Sequence, residues 1–346
     1  MYQPAPVLPL DPAAARRLRR ALLAWYRKAA RALPWRATSD PWRILLAEVM
    51  LQQTRVVTVI PYYERFVERF PTPAAMAEAP EDEVLVLWSG LGYYSRARNL
   101  KRAAEEVARR GGFPRTWEDL RTLPGVGDYT AAAVGSIAFG LPHAVVDGNV
   151  LRVLSRASAD RGDIASPSVR RRLGARAQEL LAVRSPGDFN QALMELGATV
   201  CTPRNPDCRA CPWRADCLAR LQGIEKELPR RPNRRQPRRE DLHLLLISRR
   251  GRVLLYRRPD EVRRLAGFWD LPSDQQLPGA TEVQAVGAFR HGITHDDYLV
   301  RLSRAVLDKV PRGMRWKARK ELASLPLTTM AKKAFRLAWP GVEESE

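Results

Sequence analysis

Two carboxylates in the first half of the chain are placed where acid–base chemistry could use them. Glu48 lies in an otherwise apolar run, ILLAEVML, and Asp147 stands at an apparent helix start in VVDGNVLRVL. Apolar surroundings raise a carboxyl pKa, whereas the N–H donors of a helix start favour the ionised form. Two such groups can divide the roles of acid and anion. A satisfied structural Glu and a helix-capping Asp are the simpler alternatives.

Four cysteines form a second group of residues that could do chemistry. Their spacing is Cys201-x6-Cys208-x2-Cys211-x5-Cys217, so four thiolates within 17 residues could hold one metal centre. Zinc sites usually pair two CxxC-like units, whereas this stretch contains one, with longer gaps on either side. Spacing alone therefore leaves zinc and an iron–sulfur cluster open. Since no cysteine remains elsewhere for a disulfide framework, the sequence indicates a reducing compartment.

A glycine-rich turn precedes a helix of small residues in LPGVGDYTAAAVGSIAFG, residues 123–140. Gly125 and Gly127 flank Val126, and without Cβ atoms their backbone N–H groups can approach a ligand closely. The free N–H groups of the following helix start favour an anion such as a DNA phosphate. We therefore assign the turn, including Leu123, to DNA binding. A plain helix–turn–helix is the alternative for this motif taken alone.

The charge balance also indicates a polyanionic partner. Lys and Arg total 58 against 38 Asp and Glu, a formal charge of +20, which is typical of nucleic-acid-binding proteins. A generally basic, solvated surface is the alternative. No apolar run approaches the roughly 18–20 residues of a membrane span, and the first residues show no secretory signal pattern. We expect a cytoplasmic, nucleoid-associated protein that does not bind membranes.

These groups need elements to position them, and helices are predicted up to about residue 220. Asp11 and Pro12 indicate a helix start, and few segments alternate with period two, so this part is expected to be all-α. The predicted helices that follow are 41–57, 59–69, 81–88, 95–110, 128–139, 147–157 and 186–199.

The composition changes at 229–240, which holds six arginines and three prolines and is predicted to be an extended, charged connector. Strand-like runs follow at 242–248, 252–258, 282–289 and 298–307. Arg250 and Gly251 indicate a hairpin between the first two runs. The predicted organisation is a helical domain over 1–226, a linker over 227–240 and an α+β domain over 241–346.

The longer motifs resemble the adenine DNA glycosylases, the MutY family of the helix–hairpin–helix glycosylase superfamily. The resemblance covers about residues 15–225 densely, through LPWRATSDPWRILLAEVMLQQTRVVTVIPYYERF, LWSGLGYYSRARNL and FNQALMELGATVC, and continues more weakly beyond them. It implies a monomeric, monofunctional enzyme that hydrolyses the N-glycosidic bond of adenine mispaired with 8-oxoguanine, or with guanine, in duplex DNA. It also implies base flipping and base excision repair.

The same resemblance assigns roles in the reaction. Glu48 is implied to be the general acid that protonates N7 of adenine, and Asp147 stabilises the oxocarbenium ion. Tyr129 and Asn149 are implied to hydrogen-bond within this site. Tyr129 stands where related bifunctional enzymes carry a Lys that forms a Schiff base, so little or no lyase activity is expected.

For the cysteines, the resemblance implies a [4Fe–4S] cluster. We hypothesise a structural role, in which the cluster stiffens a loop whose Arg204, Arg209 and Arg214 offer cations to phosphate.

Further positions are implied to contact the two mispaired bases. Arg31, Leu33 and Trp35 correspond to positions that line the adenine pocket. The positions that wedge into the duplex around 8-oxoguanine correspond to Gln53, Thr54, Leu91 and Tyr93. Without the resemblance, ordinary packing or surface exposure would account for each of these side chains.

The second domain resembles the Nudix-like domain of these enzymes, for example in RRLAGFWDLPS, residues 263–273. It lacks the GxxxxxE…RExxEExG box, so no nucleotide hydrolysis is expected. The family recognises 8-oxoguanine with a Phe-Ser-His loop, for which this chain has Ile293, Thr294 and His295. Thr294 can supply the hydroxyl and His295 is retained, but Ile293 removes an aromatic stack and puts the strength of discrimination in question.

Three alternative functions are disfavoured by particular residues. An endonuclease III-like lyase acting on oxidised pyrimidines is disfavoured by Tyr129 and by the second domain. A basic DNA-binding module with an inactive site is disfavoured by the presence of Glu48 and Asp147. A Nudix hydrolase with a DNA-binding appendage is disfavoured by the missing Nudix box.

Overall fold

The structure, a computed structural model, describes residues 11–230, 238–259, 261–262, 265–293 and 296–340. The chain divides into two compact units: Met1–Glu78 with Asn99–Asn233, and Ala79–Arg98 with Arg234–Glu346. The helical domain predicted over 1–226 thus differs from the first unit, because Ala79–Arg98 belongs to the second. In that unit the ring of Tyr94 packs 4.3 Å from the ring of Phe268, and Arg98 donates a hydrogen bond to the carbonyl of Ala266.

Helices dominate the first unit, which confirms the all-α prediction for this part of the chain. No helix among the described residues is both long and apolar enough to cross a membrane. The helices of both units are α1 (Pro12–Ala29), α2 (Pro41–Leu51), α3 (Val56–Arg69), α4 (Pro73–Glu78), α5 (Glu81–Leu87), α6 (Ser95–Arg109), α7 (Trp117–Leu120), α8 (Asp128–Phe139), α9 (Gly148–Ala157), α10 (Pro167–Leu180), α11 (Pro186–Thr199), α12 (Leu218–Leu221) and α13 (Thr329–Ala338).

Side-chain caps set several helix starts. The Asp11 carboxylate accepts hydrogen bonds from the N–H groups of the first turn of α1, and Asp40 accepts one from the Trp42 N–H at 2.8 Å. The helix predicted over 41–57 extends too far, since α2 ends at Leu51. The chain then turns through Gln53, whose backbone is left-handed at φ 58°, before α3 begins. Helices α4, α7, α10, α12 and α13 were not among the predicted ones.

The core of the first unit lies between α1, α9, α10 and α11. Leu22, Leu151, Leu173 and Phe189 are fully buried there, one from each helix. Trp213, from the stretch that contains the cysteines, joins this core and donates a hydrogen bond from its indole Nε1 to the Leu18 carbonyl at 2.9 Å. The cysteine-containing loop is therefore anchored to the helical core by a buried aromatic side chain.

The glycine turn between α7 and α8 has the geometry that its sequence predicts. The side chains of Leu123 and Val126 are buried and anchor the turn, while Gly125 and Gly127 are exposed. Gly125 is left-handed at φ 76°, and a Cβ atom there would lie 2.6 Å from the Cβ of Asn99. Gly127 caps α8, and a Cβ added to it would meet no atom within 4 Å. Gly125 is therefore needed for its left-handed backbone and for the close approach of Asn99, whereas Gly127 caps a helix in open space.

The second unit contains a mixed sheet with the order β3-β2-β1-β5-β4, and β6 pairs with β2. Strands β1 and β5 are parallel, and the other pairs are antiparallel. Helix α13 packs on the face that carries Leu244, Leu246 and Val300. The strands are β1 (Arg238–Arg249), β2 (Arg252–Arg257), β3 (Trp269–Asp270), β4 (Thr281–Ile293), β5 (Asp296–Val306) and β6 (Met314–Ala318).

All four predicted strands are present, and the prediction of an α+β unit is confirmed. Arg250 and Gly251 both have positive φ angles, 48° and 72°, as a tight hairpin between β1 and β2 requires. Of the linker predicted over 227–240, residues 238–240 form the start of β1, because they pair with β5. Residues 231–237 lie outside the described residues.

The two glycines of the turn provide a matched pair for a stability test. We expect Gly125→Ala to lower the free energy of unfolding by about 1–3 kcal/mol, because an L-residue is strained at this φ and its Cβ meets Asn99. Gly127→Ala should cost less than about 1 kcal/mol, because its Cβ meets open space. The measurement is the urea unfolding midpoint of each variant, compared with that of the parent protein. Equal midpoints for the two variants would contradict the assignment.

Candidate active site

A cavity of about 190 Å³ in the first unit brings together residues that are far apart in the sequence. Its walls contain all four predicted catalytic residues: Glu48 on α2, Tyr129 on α8, Asp147 as the cap of α9, and Asn149 on α9. They also contain the three residues predicted to contact adenine, which are Arg31, Leu33 and Trp35. One concave site with convergent polar groups is the usual form of a binding or catalytic site.

Glu48 is a buried carboxyl, with 5% of the residue exposed, as its apolar sequence context predicts. Its Oε2 accepts a hydrogen bond from the Tyr129 hydroxyl at 2.7 Å. Burial raises the pKa of Glu48 to about 7, with a smaller contribution from the charge of Asp147 and with the hydrogen bond from Tyr129 acting in the opposite direction. The carboxyl can therefore hold or release a proton near neutral pH.

Tyr129 reaches Glu48 because α8 packs against α2. Ala131, Ala132 and Ala133 are all buried at this position of α8. Burial and the charges of the two carboxylates raise the pKa of Tyr129 well above its ordinary value, so the phenol stays neutral. Its oxygen also lies 3.4 Å from the Sδ atom of Met194.

Asp147 caps α9 and is held by two donors. Its Oδ1 accepts a hydrogen bond from the Val150 N–H at 2.7 Å, and its Oδ2 accepts one from the Asn149 Nδ2 at 2.9 Å. Burial raises the pKa of Asp147 above its ordinary value, although these donors lower it. The sequence indicated the donors but not the burial, and the ionised state of Asp147 at neutral pH stays a prediction.

Arg152, one turn along α9, fixes the orientation of Asn149. Its Nη2 donates hydrogen bonds to the Asn149 Oδ1 and to the Gly197 carbonyl, both at 2.7 Å, and its Nε donates one to the Cys201 carbonyl at 2.8 Å. A Cβ on Gly197 would lie 2.6 Å from the Cβ of Asn149, so α11 approaches α9 closely here. The amide that holds Asp147 is thus tied to the start of the cysteine-containing loop.

Sequence reasoning missed a third carboxylate of the cavity. Glu195 on α11 is 1% exposed and lines the same walls. Its two oxygens accept hydrogen bonds at 2.7 Å from Arg31 Nε and Nη2 and from Arg36 Nη2. Burial alone would raise the pKa of Glu195, but the two arginines lower it to about 2. The signal that identifies Glu48 was available for Glu195 too, since FNQALMELGATVC places it in a mostly apolar helix.

The remaining lesion-contact residues have different environments. Thr54 lines the cavity, while Gln53 beside it is exposed in a left-handed backbone conformation. In the second unit, Leu91 is buried at 6% exposure, whereas Tyr93 is 45% exposed and also left-handed, at φ 49°. Exposed residues other than glycine in this conformation are strained, which is a feature of functional loops.

Two of the predicted lesion-contact residues have no described position. Thr294 and His295 lie outside the residues that the structure describes, between Ile293 at the end of β4 and Asp296 at the start of β5.

A second cavity is lined by all four cysteines, none of which forms a disulfide. Among the described residues, no three Cys, His, Asp or Glu side chains are grouped as ligands of a single metal ion. A zinc site needs four ligands at about 2.0–2.3 Å from one point, whereas a [4Fe–4S] cluster takes its four thiolates around a larger body. Four thiols around one cavity are a donor set that a zinc ion or a [4Fe–4S] cluster can use.

The walls of the cysteine cavity are reinforced by a buried arginine. The Arg156 Nη1 lies 3.3 Å from the Sγ of Cys201, and the guanidinium also donates hydrogen bonds to the carbonyls of Thr202, Pro203 and Leu228. Burial raises the pKa of the Cys211 thiol to about 12, so a thiolate there needs a compensating positive centre such as a metal. Arg156 supplies positive charge beside Cys201, and this charge opposes the burial that raises the pKa values of the Cys208 and Cys217 thiols.

Comparisons with known proteins found relatives of this chain in sequence and in structure. Residues 46–178 match the family model described as HhH-GPD superfamily base excision DNA repair protein. The adenine DNA glycosylase of Mus musculus is 38% identical, over 91% of this chain and 76% of its own length, and that of Homo sapiens is 35% identical, over 92% and 73%. A solved thermostable thymine-DNA glycosylase is 30% identical, with a TM-score of 0.54 over 61% of this chain and 100% of its own.

The raised pKa of Glu48 gives stability a defined pH dependence. The folded protein holds this proton to about pH 7, whereas an unfolded Glu loses it near 4.5, so stability is lost as the pH rises between these values. We expect Glu48→Gln, which stays neutral, to exceed the parent in stability by on the order of 2–3 kcal/mol at pH 8.5 and to lie within about 1 kcal/mol of it at pH 5. Urea midpoints at the two pH values measure this.

Glu195→Gln is the matched control, because the pKa shift of Glu195 has the opposite sign to that of Glu48. Glu195 has a lowered pKa, so its stabilising contribution is present above about pH 4.5 and is lost as the pH falls towards 2. Its amide variant should be less stable than the parent at both pH values, because Arg31 and Arg36 lose their counter-charge. The assignment fails if Glu48→Gln shows the same pH dependence as the parent.

Proposed function

Because this chain belongs to the adenine DNA glycosylase family, a family of base-excision-repair enzymes that remove adenine from DNA, we propose that it acts on adenine mispaired with 8-oxoguanine or with guanine, and that it lacks lyase activity. The observation that supports this most directly is the cavity in which Glu48, hydrogen-bonded to Tyr129, and Asp147 line the same walls. The residues around Glu48 and Asp147 support the choice of mispair and the type of reaction.

The two carboxyls support hydrolysis of the N-glycosidic bond. With adenine flipped into the cavity, Glu48 donates its proton to N7 and makes the base a better leaving group. The C1′–N9 bond then breaks, and the negative charge of Asp147 stabilises the oxocarbenium ion. Glu48, now ionised, accepts a proton from the incoming water. A pKa of about 7 suits Glu48 to both steps, as in the two-carboxylate logic of glycosidases.

Tyr129 supports a reaction that ends at the abasic site. A lyase of this superfamily needs an amine that forms a Schiff base with the sugar, and a phenol cannot form one. The Tyr129 hydroxyl is committed to the Glu48 carboxyl at 2.7 Å, so its role is to orient the acid. Neither the Tyr129 nor the Glu48 side chain contains a nitrogen that could act as the nucleophile.

Glu195 and its two arginines support the selection of adenine. A carboxylate that stays ionised accepts hydrogen bonds and repels oxo groups, so it favours a base with an exocyclic amino group. Arg31 and Arg36 keep Glu195 in this state and hold its position in the cavity wall. Trp35, whose ring packs edge-on 5.3 Å from that of Tyr63, adds a rigid aromatic side to the pocket.

The glycine turn supports binding of the DNA backbone. Gly125 and Gly127 are exposed residues, and within the described residues their N–H groups donate to no protein acceptor. Their position before the N-terminus of α8 suits a phosphate oxygen, and a formal charge of +20 provides the long-range attraction. We assign the exposed, strained Gln53 and Tyr93 to contacts around the mispair.

The second unit is proposed to recognise 8-oxoguanine, with Thr294 and His295 as its contacts. The support is that the match to the mouse enzyme covers 91% of this chain and so extends into this unit. Ile293 precedes these residues at the end of β4, where it cannot provide an aromatic stack.

A [4Fe–4S] cluster is proposed for the cysteine cavity, held by Cys201, Cys208, Cys211 and Cys217. When bound, the cluster would cross-link the loop and add rigidity. The chain's own residues do the remaining work, since Trp213 anchors the loop in the core and Arg156 binds its carbonyls and one sulfur. No electron transfer is required of the cluster in the hydrolysis.

Excision assays on defined duplexes test the function. We expect the protein to release adenine opposite 8-oxoguanine and opposite guanine, to leave thymine glycol untouched, and to give strand breaks only after alkali. Asp147→Asn should still bind the mispair and slow single-turnover excision by at least about 100-fold, because it removes the charge that stabilises the cation. Val57→Ala, an exposed change outside the cavity, is the control.

Each alternative has its own signature in these assays. Strand cleavage without alkali, or an enzyme–DNA imine trapped by borohydride, indicates a lyase and contradicts the role of Tyr129. Tight binding without excision by the parent protein indicates an inactive DNA-binding module. Hydrolysis of nucleoside triphosphates indicates a Nudix enzyme.

Metal analysis tests the cysteine cavity. We expect about four iron and four sulfide ions per chain, and we expect Cys211→Ser to lose most of both, because each thiolate holds one iron. Ala210→Ser, at the exposed neighbouring position, should retain the full iron content. One zinc ion per chain in place of iron would contradict the proposal of a [4Fe–4S] cluster.

A further inference from the structure

Met194 lies where a sulfur atom can affect the proposed reaction. It belongs to α11, lines the same cavity as Glu48, and places its Sδ atom 3.4 Å from the Tyr129 hydroxyl. The side chain is partly exposed. Among the described residues of the first unit, the other methionines are Met50 and Met76, and both are fully buried.

We propose that Met194 is a modification site, at which peroxide-class oxidants convert the thioether to a sulfoxide and reversibly reduce excision. The inference rests on the function proposed above, because it concerns the same cavity. In the reaction, a sulfur lone pair attacks one peroxide oxygen and the O–O bond breaks. The sulfur is oxidised by two electrons, and hydrogen peroxide is reduced to one molecule of water.

The cavity provides the access that this reaction needs. It must admit a nucleobase during the proposed reaction, so hydrogen peroxide, which is far smaller, can reach the Met194 sulfur whenever DNA is not bound. Met50 and Met76 lack such access because neither has exposed surface. The structure therefore predicts a difference in oxidation rate within one domain.

The sulfoxide would change the hydrogen bonding of Tyr129. A thioether is a weak acceptor, so the phenol donates its one proton to Glu48 at 2.7 Å and makes only a long contact with the sulfur. A sulfoxide oxygen is a strong acceptor at the same place and competes for that proton. Glu48 then loses the group that orients it, and the added oxygen occupies space meant for the base.

The test exposes the iron-loaded full chain to hydrogen peroxide, stops the reaction with catalase, and measures single-turnover excision of adenine opposite 8-oxoguanine. Met194→Leu removes the sulfur at similar volume, and Met314→Leu in the second unit is the matched control. Each rate is divided by that of the same protein before treatment. We expect at least about a tenfold loss for the parent and for Met314→Leu, and less than about a twofold loss for Met194→Leu.

Peptide mass analysis and repair enzymes complete the test. The sulfoxide should accumulate at Met194 faster than at Met50 or Met76, and methionine sulfoxide reductases acting on both epimers should restore the parent's rate. Equal loss in Met194→Leu, loss that follows iron release, or no preference for Met194 in the peptides would each overturn the proposal. Untreated parent protein that fails to excise adenine refutes the proposed function instead, and the peptide ratio still decides whether Met194 is the reactive site.

Discussion

The hydrogen bond from the Tyr129 hydroxyl to the Glu48 carboxyl is the interaction on which the site depends. A carboxyl this deeply buried would hold its proton too tightly for use as a base, and the phenol counteracts that effect while fixing the direction of the acid. The bond needs α2 and α8 to pack closely, which the buried alanines of α8 allow. The small-residue helix after the glycine turn thus serves the chemistry as well as the fold.

Three carboxyls share one cavity, and their surroundings give each a different tendency to ionise. Glu48 has one phenolic donor and a raised pKa, whereas Glu195 has two arginines and a pKa of about 2. For Asp147, burial raises the pKa and its two donors oppose the shift. Charge is thereby placed at Glu195 and withheld from Glu48 below about pH 7, and protonation of a bound base followed by stabilisation of a cation would require an ionised Asp147 as well.

The sequence predicts local features of this site better than it predicts long-range ones. Glu48 and Asp147 could be found because each departs from its immediate neighbours in type or position. Glu195 carries the same signal but was missed, and its pairing with Arg31 spans 164 residues that no local pattern connects. Likewise, Ala79–Arg98 joins the second unit through Tyr94 and Phe268, a contact that helical periodicity does not indicate. Caps, turns and the positions of strands along the chain depend on local sequence, so they were largely predictable, whereas the parallel pairing of β1 with β5 was not predicted.

Helix α9 links the candidate active site to the cysteine-containing loop. This ten-residue helix is capped by Asp147, and it then presents Asn149, Arg152 and Arg156 at successive turns. The first of these binds Asp147, the second joins Asn149 to the Cys201 carbonyl, and the third binds the loop beyond it. Disorder in the loop would take the Cys201 carbonyl away from Arg152, which also holds Asn149, and would loosen the amide that binds Asp147. A cross-link at the cysteines would therefore support the proposed catalysis through geometry alone, without any change of oxidation state.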